Sequence, residues 1–259
     1  MGRVRSFGAY IIGDEIIRGK RQDKHFEKLR AILAARGLHL DWVLYMGDNR
    51  PRLIEAFRRS LASDDVVFSC GGIGSTPDDH TRHAAGAAAG VPLALHPEAE
   101  AKIRARLTSL NRPITPAMLD MGTFPAGSRI IPNPVNDIPG FSYADHHFVP
   151  GFPEMAWPMI EWALDTYYRD SFNAKPEAEA AIIVWEGIEG LMVELMERIE
   201  RDYPGLIVFS LPSLGNANIR RHVELGVRGD PMQVPPAMAE IEADIARRGL
   251  SFERKQANT

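Results

Sequence analysis

The sequence predicts an α/β protein with a mostly parallel sheet, followed by a small α+β domain at the carboxy-terminal end. Three observations lead there. Short apolar runs alternate with apolar residues at helical spacing through the first part of the chain. A glycine-rich turn sits between a buried run and a helix, as in open α/β sheets. After about residue 177 the order becomes β-α-β-β-α-β, the split-βαβ pattern of ferredoxin-like sheets.

Taken in order, residues 7–13 are a short apolar run, ended by Asp14 and Glu15, and read as the first strand. Residues 25–36 carry Phe26, Leu29, Ile32 and Leu33 at helical spacing, with Gly37 as the stop. Residues 40–46 read as a strand ending in Gly47, Asp48 and Asn49. Pro51 opens a helix carrying Leu53, Ile54, Phe57 and Leu61. Residues 65–70 are a third strand, and an alanine-rich helix ending near Gly90 follows the glycine-rich segment 71–79. Residues 91–95 read as a further strand and Pro97 starts another helix. Strand–helix alternation of this kind builds βαβ units. In the Pro- and Gly-richer middle, residues 128–133 and 141–149 read as strands, and Gly151-Phe152-Pro153-Glu154 turns into a helix running to about Tyr168. The polar stretch 169–177, with Asn173 and Pro176, is read as a linker between a first domain at 1–170 and a second at 177–259. In the second, residues 180–185, 206–211, 222–227 and 250–254 read as strands. Residues 188–201 and 236–248 read as helices, and 215–218 as a polar turn.

Composition narrows the classes. The chain has 259 residues, 45% hydrophobic and 25% charged, enough for a sizeable core. Thirty Lys+Arg against 34 Asp+Glu leave a net charge of −4, which argues against a nucleic-acid-coating protein. Cys70 is the single cysteine, so no internal disulfide forms and a reducing compartment is expected. No run approaches the ~18 apolar residues of a membrane span, and Gly13-Asp14-Glu15 interrupts the first apolar run before a signal-peptide core could form. A soluble cytoplasmic protein that keeps its first residues is expected.

The strongest chemical feature is Gly71-Gly72-Ile73-Gly74-Ser75-Thr76-Pro77-Asp78-Asp79-His80-Thr81, between a strand and a helix. Glycines let backbone N–H groups approach phosphate oxygens, and a helix start adds a positive dipole. The segment lacks the Gly-Lys-Ser/Thr of a Walker A loop, and Pro77 stands where a dinucleotide fingerprint has its third glycine. It is either a ligand loop or a plain tight turn in which Asp78 or Asp79 caps the following helix. Asp14 and Glu15 end the first strand, with Lys20 and Asp23 in the next loop, and Glu154 opens a later helix. Carboxylates near a phosphate loop suit Mg²⁺ or a similar hard cation, or they are solvated loop and helix-start charges. His80 and His83 are three apart, with no further clustered ligand for zinc. His146 and His147 should face opposite sides of a strand. Cys70 reads as a core residue, and Ser75 lacks a nucleophile elbow and an evident base. Trp157, Trp162, Tyr167 and Tyr168 read as packing on one helix.

These residues resemble a known family. Gly13-Asp14-Glu15-Ile16 with Gly19 and Asp23, then Gly71-Gly72-x-Gly74-x-Thr76-Pro77-Asp78-Asp79-x-Thr81, resemble the molybdopterin-binding domain of the MoaB/Mog type. They resemble more closely the amino-terminal part of CinA, the competence/damage-inducible proteins. Asn133-Pro134, Pro139-Gly140-Phe141 and Pro150-Gly151-x-Pro153-Glu154-Met155 match in order and spacing, so the resemblance covers most of residues 6–168. It implies a doubly wound sheet whose edge binds a phosphate-bearing pterin or nucleotide. It also implies metal-dependent hydrolysis of a nucleotide pyrophosphate of the ADP-ribose or FAD type, with Mg, Mn or Co. Carried over, Asp78, Asp79 and Glu154 would be catalytic, and Asp14, Asp78, Asp79 and Glu154 would surround the metal. Gly13, Asp14, Gly71, Gly72, Gly74, Ser75, Thr76, Thr81, Gly151 and Pro153 would contact the ligand. The chain departs from the pattern at Lys24-His25, at 118–122 and at Asn136-Asp137. It stops before the amidohydrolase part of full-length CinA, so no nicotinamide mononucleotide deamidation is expected. A non-catalytic molybdopterin or nucleotide binder in cofactor biosynthesis or sensing is the alternative, and an interaction protein of DNA uptake a third. The expected partners are a small molecule and further copies of the chain, with no membrane or nucleic acid.

Overall fold

The computed structural model describes residues 5–173, 176–216 and 219–255. The chain divides into two compact units, Met1–Ala174 and Lys175–Thr259. Residues 174–175 of the expected linker and 217–218 of the expected polar turn lie outside the described residues.

In the first unit, β1 (Phe7–Ile12) leads into a single helical turn, α1 (Asp14–Ile17), and then α2 (His25–Ala34). β2 (Trp42–Met46), α3 (Arg50–Leu61), β3 (Val66–Cys70) and α4 (Thr81–Ala89) follow. Next come β4 (Leu93–Leu95), α5 (Pro97–Ser109), α6 (Pro116–Asp120), β5 (Thr123–Pro125), β6 (Arg129–Ile131), β7 (Gly140–Tyr143), β8 (His146–Val149) and α7 (Pro153–Tyr167). The main sheet runs β2-β1-β3-β8-β7-β6. β2, β1, β3 and β8 are parallel, while β7 and β6 are antiparallel.

Both faces of this sheet are covered, so every residue of β1 and β3 is buried and the runs read as unbroken apolar stretches. One face packs Phe7, Ala9, Val66 and Phe68 against Leu29, Ile32 and Leu33 of α2 and Met159, Ile160 and Ala163 of α7. The other packs Tyr10, Val67 and Phe148 against Leu53 and Phe57 of α3 and Ala84 and Ala85 of α4. That is the doubly wound arrangement. The adjacent His146 and His147 do face opposite layers. His146 Nε2 meets Ser60 Oγ of α3 (2.7 Å), and His147 Nε2 meets Tyr168 Oη beyond α7 (2.7 Å). Burial pushes their imidazoles down to about 4 and about 3, so both stay neutral. Burial and the Asp23 charge push the Cys70 thiol up to about 12, in keeping with a core residue.

Three expectations need correction. Residues 141–149 are not one strand. They fold into the β7–β8 hairpin, which turns at Ala144 in the left-handed region (φ 50°). The short strand at 93–95 does not extend the parallel sheet, but pairs antiparallel with β5 in a two-stranded side sheet. A helix, α6, stands in the Pro-containing stretch before β5, where none was expected.

The second unit contains β9 (Ala178–Trp185), α8 (Val193–Asp202), β10 (Ile207–Ser213), β11 (His222–Gly229), α9 (Val234–Arg247) and β12 (Phe252–Arg254). Its antiparallel sheet has the order β10-β11-β9-β12. That is the ferredoxin-like arrangement the element order predicts. Ile182, Val184, Val223 and Leu225 of the sheet pack against Leu195 and Ile199 of α8 and Ile241 and Ile245 of α9. Among the described residues no helix is long and apolar enough to cross a membrane.

Candidate functional site

The parallel strands β1, β2, β3 and β8 all end at one sheet edge, where a cavity of about 410 Å³ opens. Its walls include Gly13 after β1, Asp48 after β2, Gly71 to Thr76 after β3, and Pro150 and Gly151 after β8. Residues 133–139 close the far side through Asn133, Asn136, Ile138 and Pro139. Asn133 shapes that segment, donating to Ile138 O (3.0 Å) and accepting from Val135 N–H (3.0 Å).

The glycine loop is held from beneath. Gly71 and Gly72 have φ of 111° and 69°, and a Cβ on Gly71 would collide with Ile12 O. Gly71 N–H donates to Val149 O (3.0 Å), tying the ends of β3 and β8 together. Thr81 is fully buried. Its hydroxyl donates to Gly71 O (2.9 Å) and its N–H to Gly72 O (3.0 Å), so it locks the loop and does not line the cavity. Above this lock, the backbone N–H groups of Gly72, Ile73, Gly74 and Ser75 donate to no acceptor among the described residues. All four residues line the cavity. Consecutive free N–H groups in such a turn form a concave anion nest.

The carboxylates are divided between two tasks. Asp79 Oδ2 accepts from Thr76 N–H (2.8 Å) and Thr76 Oγ1 (2.5 Å), which closes the loop. Neither Asp78 nor Asp79 caps α4, whose N-cap is His80 with no side-chain cap bond. The Thr76 hydroxyl beside it and its own backbone hold the exposed Asp78 carboxyl below its usual range. Asp14 is bound to its neighbours: its N–H donates to Asp48 Oδ2 (2.8 Å), and its Oδ2 pairs with Arg18 (2.9 Å). Asp23, just before α2, accepts from His25 N–H (2.8 Å) and Phe26 N–H (3.1 Å). Burial pushes the Asp48 carboxyl up, and the charges of Asp14, Glu15 and Asp78 add to this against a hydrogen bond from Asp14 N–H.

Glu15, Asp48, Asp78 and Asp79 therefore put four carboxylates on the wall of one cavity. They are the oxygen donors a hard divalent cation takes. Among the described residues, no group of three or more His, Cys, Asp or Glu side chains could hold a metal ion as placed. The donor type fits a divalent cation, but the arrangement is not a ready ligand set. The expected quartet Asp14, Asp78, Asp79 and Glu154 is not brought together at this cavity, because Asp14 and Glu154 do not line it.

Pro153 and Glu154 line a second cavity of about 360 Å³. It shares Ile12, Glu15, Arg21, Gly151 and Phe152 with the first.

Sequence reasoning missed Asp48 as a cavity residue, although its place at the end of a predicted strand was a usable signal. It also missed Arg82, which is 2% exposed. Arg82 donates to Gly74 O (2.8 Å), to Asp120 Oδ2 (3.0 Å) and to the Asp120 carbonyl. Nothing in the local sequence announces that brace, because Asp120 lies beyond β4 and α5.

Parallel strands that deliver unpaired N–H groups and carboxylates to one cavity define an α/β protein with a candidate ligand site at the strand ends. Residues 8–169 match the family described as "Probable molybdopterin binding domain", and the chain belongs to that family. A protein of Pyrobaculum arsenaticum is 28% identical over 205 residues, covering 78% of this chain and 77% of its own length. A CinA-like protein of Sulfurihydrogenibium sp. is 34% identical over 161 residues, or 60% of this chain. The alignment spans 40% of that relative's own length. Among solved structures, a CinA protein of Thermoplasma acidophilum, described as of unknown function, has a TM-score of 0.56 at 25% identity. It covers 62% of this chain and 96% of its own.

Proposed function

We propose that the chain binds a phosphate-bearing pterin or nucleotide, with a phosphate seated on the Gly71–Thr76 loop. The observation that carries this reading is the run of unpaired N–H groups from Gly72 to Ser75, held in a rigid turn and facing a cavity. Four successive unpaired donors on the wall of one cavity favour an anion there. Membership of a molybdopterin-binding family supports the pterin, and the CinA-like relatives support the same kind of site.

Gly74→Val tests the loop. A Cβ there would sit 2.6 Å from Asp79 Oδ2, so the Asp79 carboxylate must leave its bonds to Thr76 and unlatch the loop, while the Gly71–Gly72 turn and its Thr81 lock are not touched. Affinity for FAD, ADP-ribose or molybdopterin, measured by calorimetry, should fall about 100-fold, the loss of roughly two charge-assisted hydrogen bonds. A folded variant with unchanged affinity would remove the loop from the site.

A second reading adds metal-dependent hydrolysis of a nucleotide pyrophosphate. It is favoured by the carboxylates of Glu15, Asp48, Asp78 and Asp79 on the wall beside the nest. Asp79→Asn retains an acceptor for Thr76 but loses the charge. Turnover with Mg²⁺, Mn²⁺ or Co²⁺ should drop at least about 100-fold while thermal stability changes little. Wild-type protein without turnover under all three metals leaves the binding reading alone.

A further inference from the structure

Phe152 stands where the chain passes from β8 to α7, beside the glycine loop. Two close fits fix that place: Gly71 N–H donates to Val149 O (3.0 Å), and a Cβ on Gly151 would lie 3.4 Å from Gly71 Cα. The Phe152 carbonyl accepts from Met155 N–H (3.0 Å) and Ala156 N–H (2.9 Å), so its backbone is tied into the first turn of α7. Its ring, by contrast, is left open. Phe152 is 55% exposed, the most exposed phenylalanine among the described residues, and its ring stacks on no other ring there. On the preceding strand, Phe148 is 1% exposed and stacks on Phe141 at 4.5 Å.

A single exposed apolar side chain is ordinary on a protein surface. Phe152, however, lines both cavities at the strand ends. In the first it belongs to a wall with Met155, Ile138 and Asn136, opposite in character to the N–H groups and carboxylates of the loop side. Asn136 Oδ1 is taken by Ile138 N–H (2.9 Å), whereas its Nδ2 meets Met155 Sδ at 3.5 Å, a weak acceptor. The cavity therefore offers anion donors on one side. On the other it offers an aromatic face, an adaptable thioether and an amide donor with capacity to spare. A phosphate alone would use only the first side. An acyl chain would cover the apolar wall but give Asn136 no acceptor. A fused nitrogen heterocycle supplies both a flat π-face and acceptors along its edge.

We propose that Phe152 reads the ring of the ligand: a planar nitrogen heterocycle of the purine, flavin or pterin kind stacks on its face, Asn136 Nδ2 donates to the ring edge, and the phosphate sits on Gly71–Thr76. The inference rests on the phosphate-loop reading above and assigns the part of the ligand that the loop does not hold.

The test compares ring-bearing and ring-less probes on the full chain in metal-free buffer: ADP, FMN and a pterin monophosphate against inorganic pyrophosphate. The Gly72 and Gly74 amides, followed by ¹⁵N NMR, report the loop, and calorimetry of Phe152 variants reports the ring, so each reading fails by its own signal. Phe152→Ala should weaken at least one ring-bearing probe about tenfold, the size of a lost base–aromatic stack, and pyrophosphate less than twofold. The probe with the largest loss identifies the ring. Phe152→Trp should restore that affinity, and its indole fluorescence should be quenched by the same probe, which a merely structural role would not produce. Asn136→Asp keeps the acceptor for Ile138 N–H and removes the donor, so it should weaken that probe several-fold more than pyrophosphate. Unchanged affinity for all three ring-bearing probes in a folded Phe152→Ala chain, or an equal loss for pyrophosphate, would overturn the stacking role. Equal losses in Asn136→Asp would overturn the edge contact. Gly72 and Gly74 amides that ignore pyrophosphate would overturn the loop reading and with it the joint seating of ring and phosphate.

Discussion

The two units treat their polar groups in opposite ways. At the strand ends of the first, four successive N–H groups, the cations Arg21 and Lys24 and a buried His25 Nδ1 have no partner among the described residues. In the second, most of the described cations are matched internally, with Arg221 and Arg228 the exceptions. Arg198 bonds Glu240 (2.9 Å) and Asp244 (2.7 Å), Arg247 and Arg248 converge on the same Asp244, Arg254 meets Glu242 and Lys255 meets Glu224. Both have a well-packed apolar core, so stability does not separate them. Unpaired donors in an ordered turn are retained where a ligand completes them, whereas satisfied pairs brace a fold. On the proposed function, recognition belongs to the first unit and the paired charges of the second brace its fold.

The sharpest way to break that contrast is Arg82→Met, since Arg82 braces the site of the first unit with a buried charge. Methionine fills much of the space but leaves Gly74 O and the Asp120 groups without their donor. Denaturant unfolding should lose about 1–2 kcal/mol, the cost of leaving Gly74 O and the Asp120 carbonyl without their donor, since the Asp120 carboxylate is half exposed and stays solvated. Phosphate-ligand affinity should fall with it, because Gly74 loses its anchor. Should stability hold within error, Arg82 is not a brace.

Asp244→Asn is the matching change in the second unit. Burial raises the Asp244 carboxyl, but hydrogen bonds from Arg248, Arg198 and Arg247 outweigh it and bring it down to about 2. A depressed carboxyl contributes stability above its unfolded value near pH 4, and that contribution is lost as pH falls towards 2. The variant should lose about 2 kcal/mol at neutral pH and converge on wild type in strong acid. Ligand affinity should not change, and loss of affinity in this variant would undo the division of labour. Two separate unfolding transitions, one shifted only by Arg82→Met and the other only by Asp244→Asn, would support two independently folding units near the expected boundary.

How much of this was legible from sequence depends on how local each signal is. Apolar periodicity marked most strands and helices, and the element order of the second unit foretold its sheet. The glycine loop was visible because its glycines and Thr76-Pro77-Asp78-Asp79 are contiguous. The β7–β8 hairpin was missed because its turn is made by Ala144 and Asp145, and alanine in the left-handed region gives no turn signal. β4 was recognised as a strand but not its pairing with β5, since register between distant segments is written in no local pattern. Thr81 was expected at the ligand because it belongs to the motif. Only the fold shows its hydroxyl turned down to Gly71 O. Asp79 was weighed as a metal ligand or a helix cap, and its bonds to Thr76 are neither.

The smallest effect is the one that probes the boundary between the two kinds of polar group. Asp48 sits on the cavity wall, accepts the Asp14 N–H, and has its carboxyl pushed up by burial and by the Asp14, Glu15 and Asp78 charges. Its folded value lies above the unfolded one, so ionisation costs the folded state stability as pH rises through that interval. Asparagine retains an acceptor for Asp14 N–H and removes the charge. Asp48→Asn should therefore be slightly more stable than wild type at neutral pH, by roughly 0.5 kcal/mol for a partly solvated group. The gain should vanish below the unfolded carboxylate value near pH 4. The same charge faces the nest of Gly72 to Ser75, so in metal-free buffer inorganic pyrophosphate should bind the variant about threefold more tightly. Thermal melts across pH and calorimetric titration check the two halves separately. A stability gain without tighter pyrophosphate binding would mean that the Asp48 field does not reach the nest, and that the acidic wall and the loop serve different parts of the ligand.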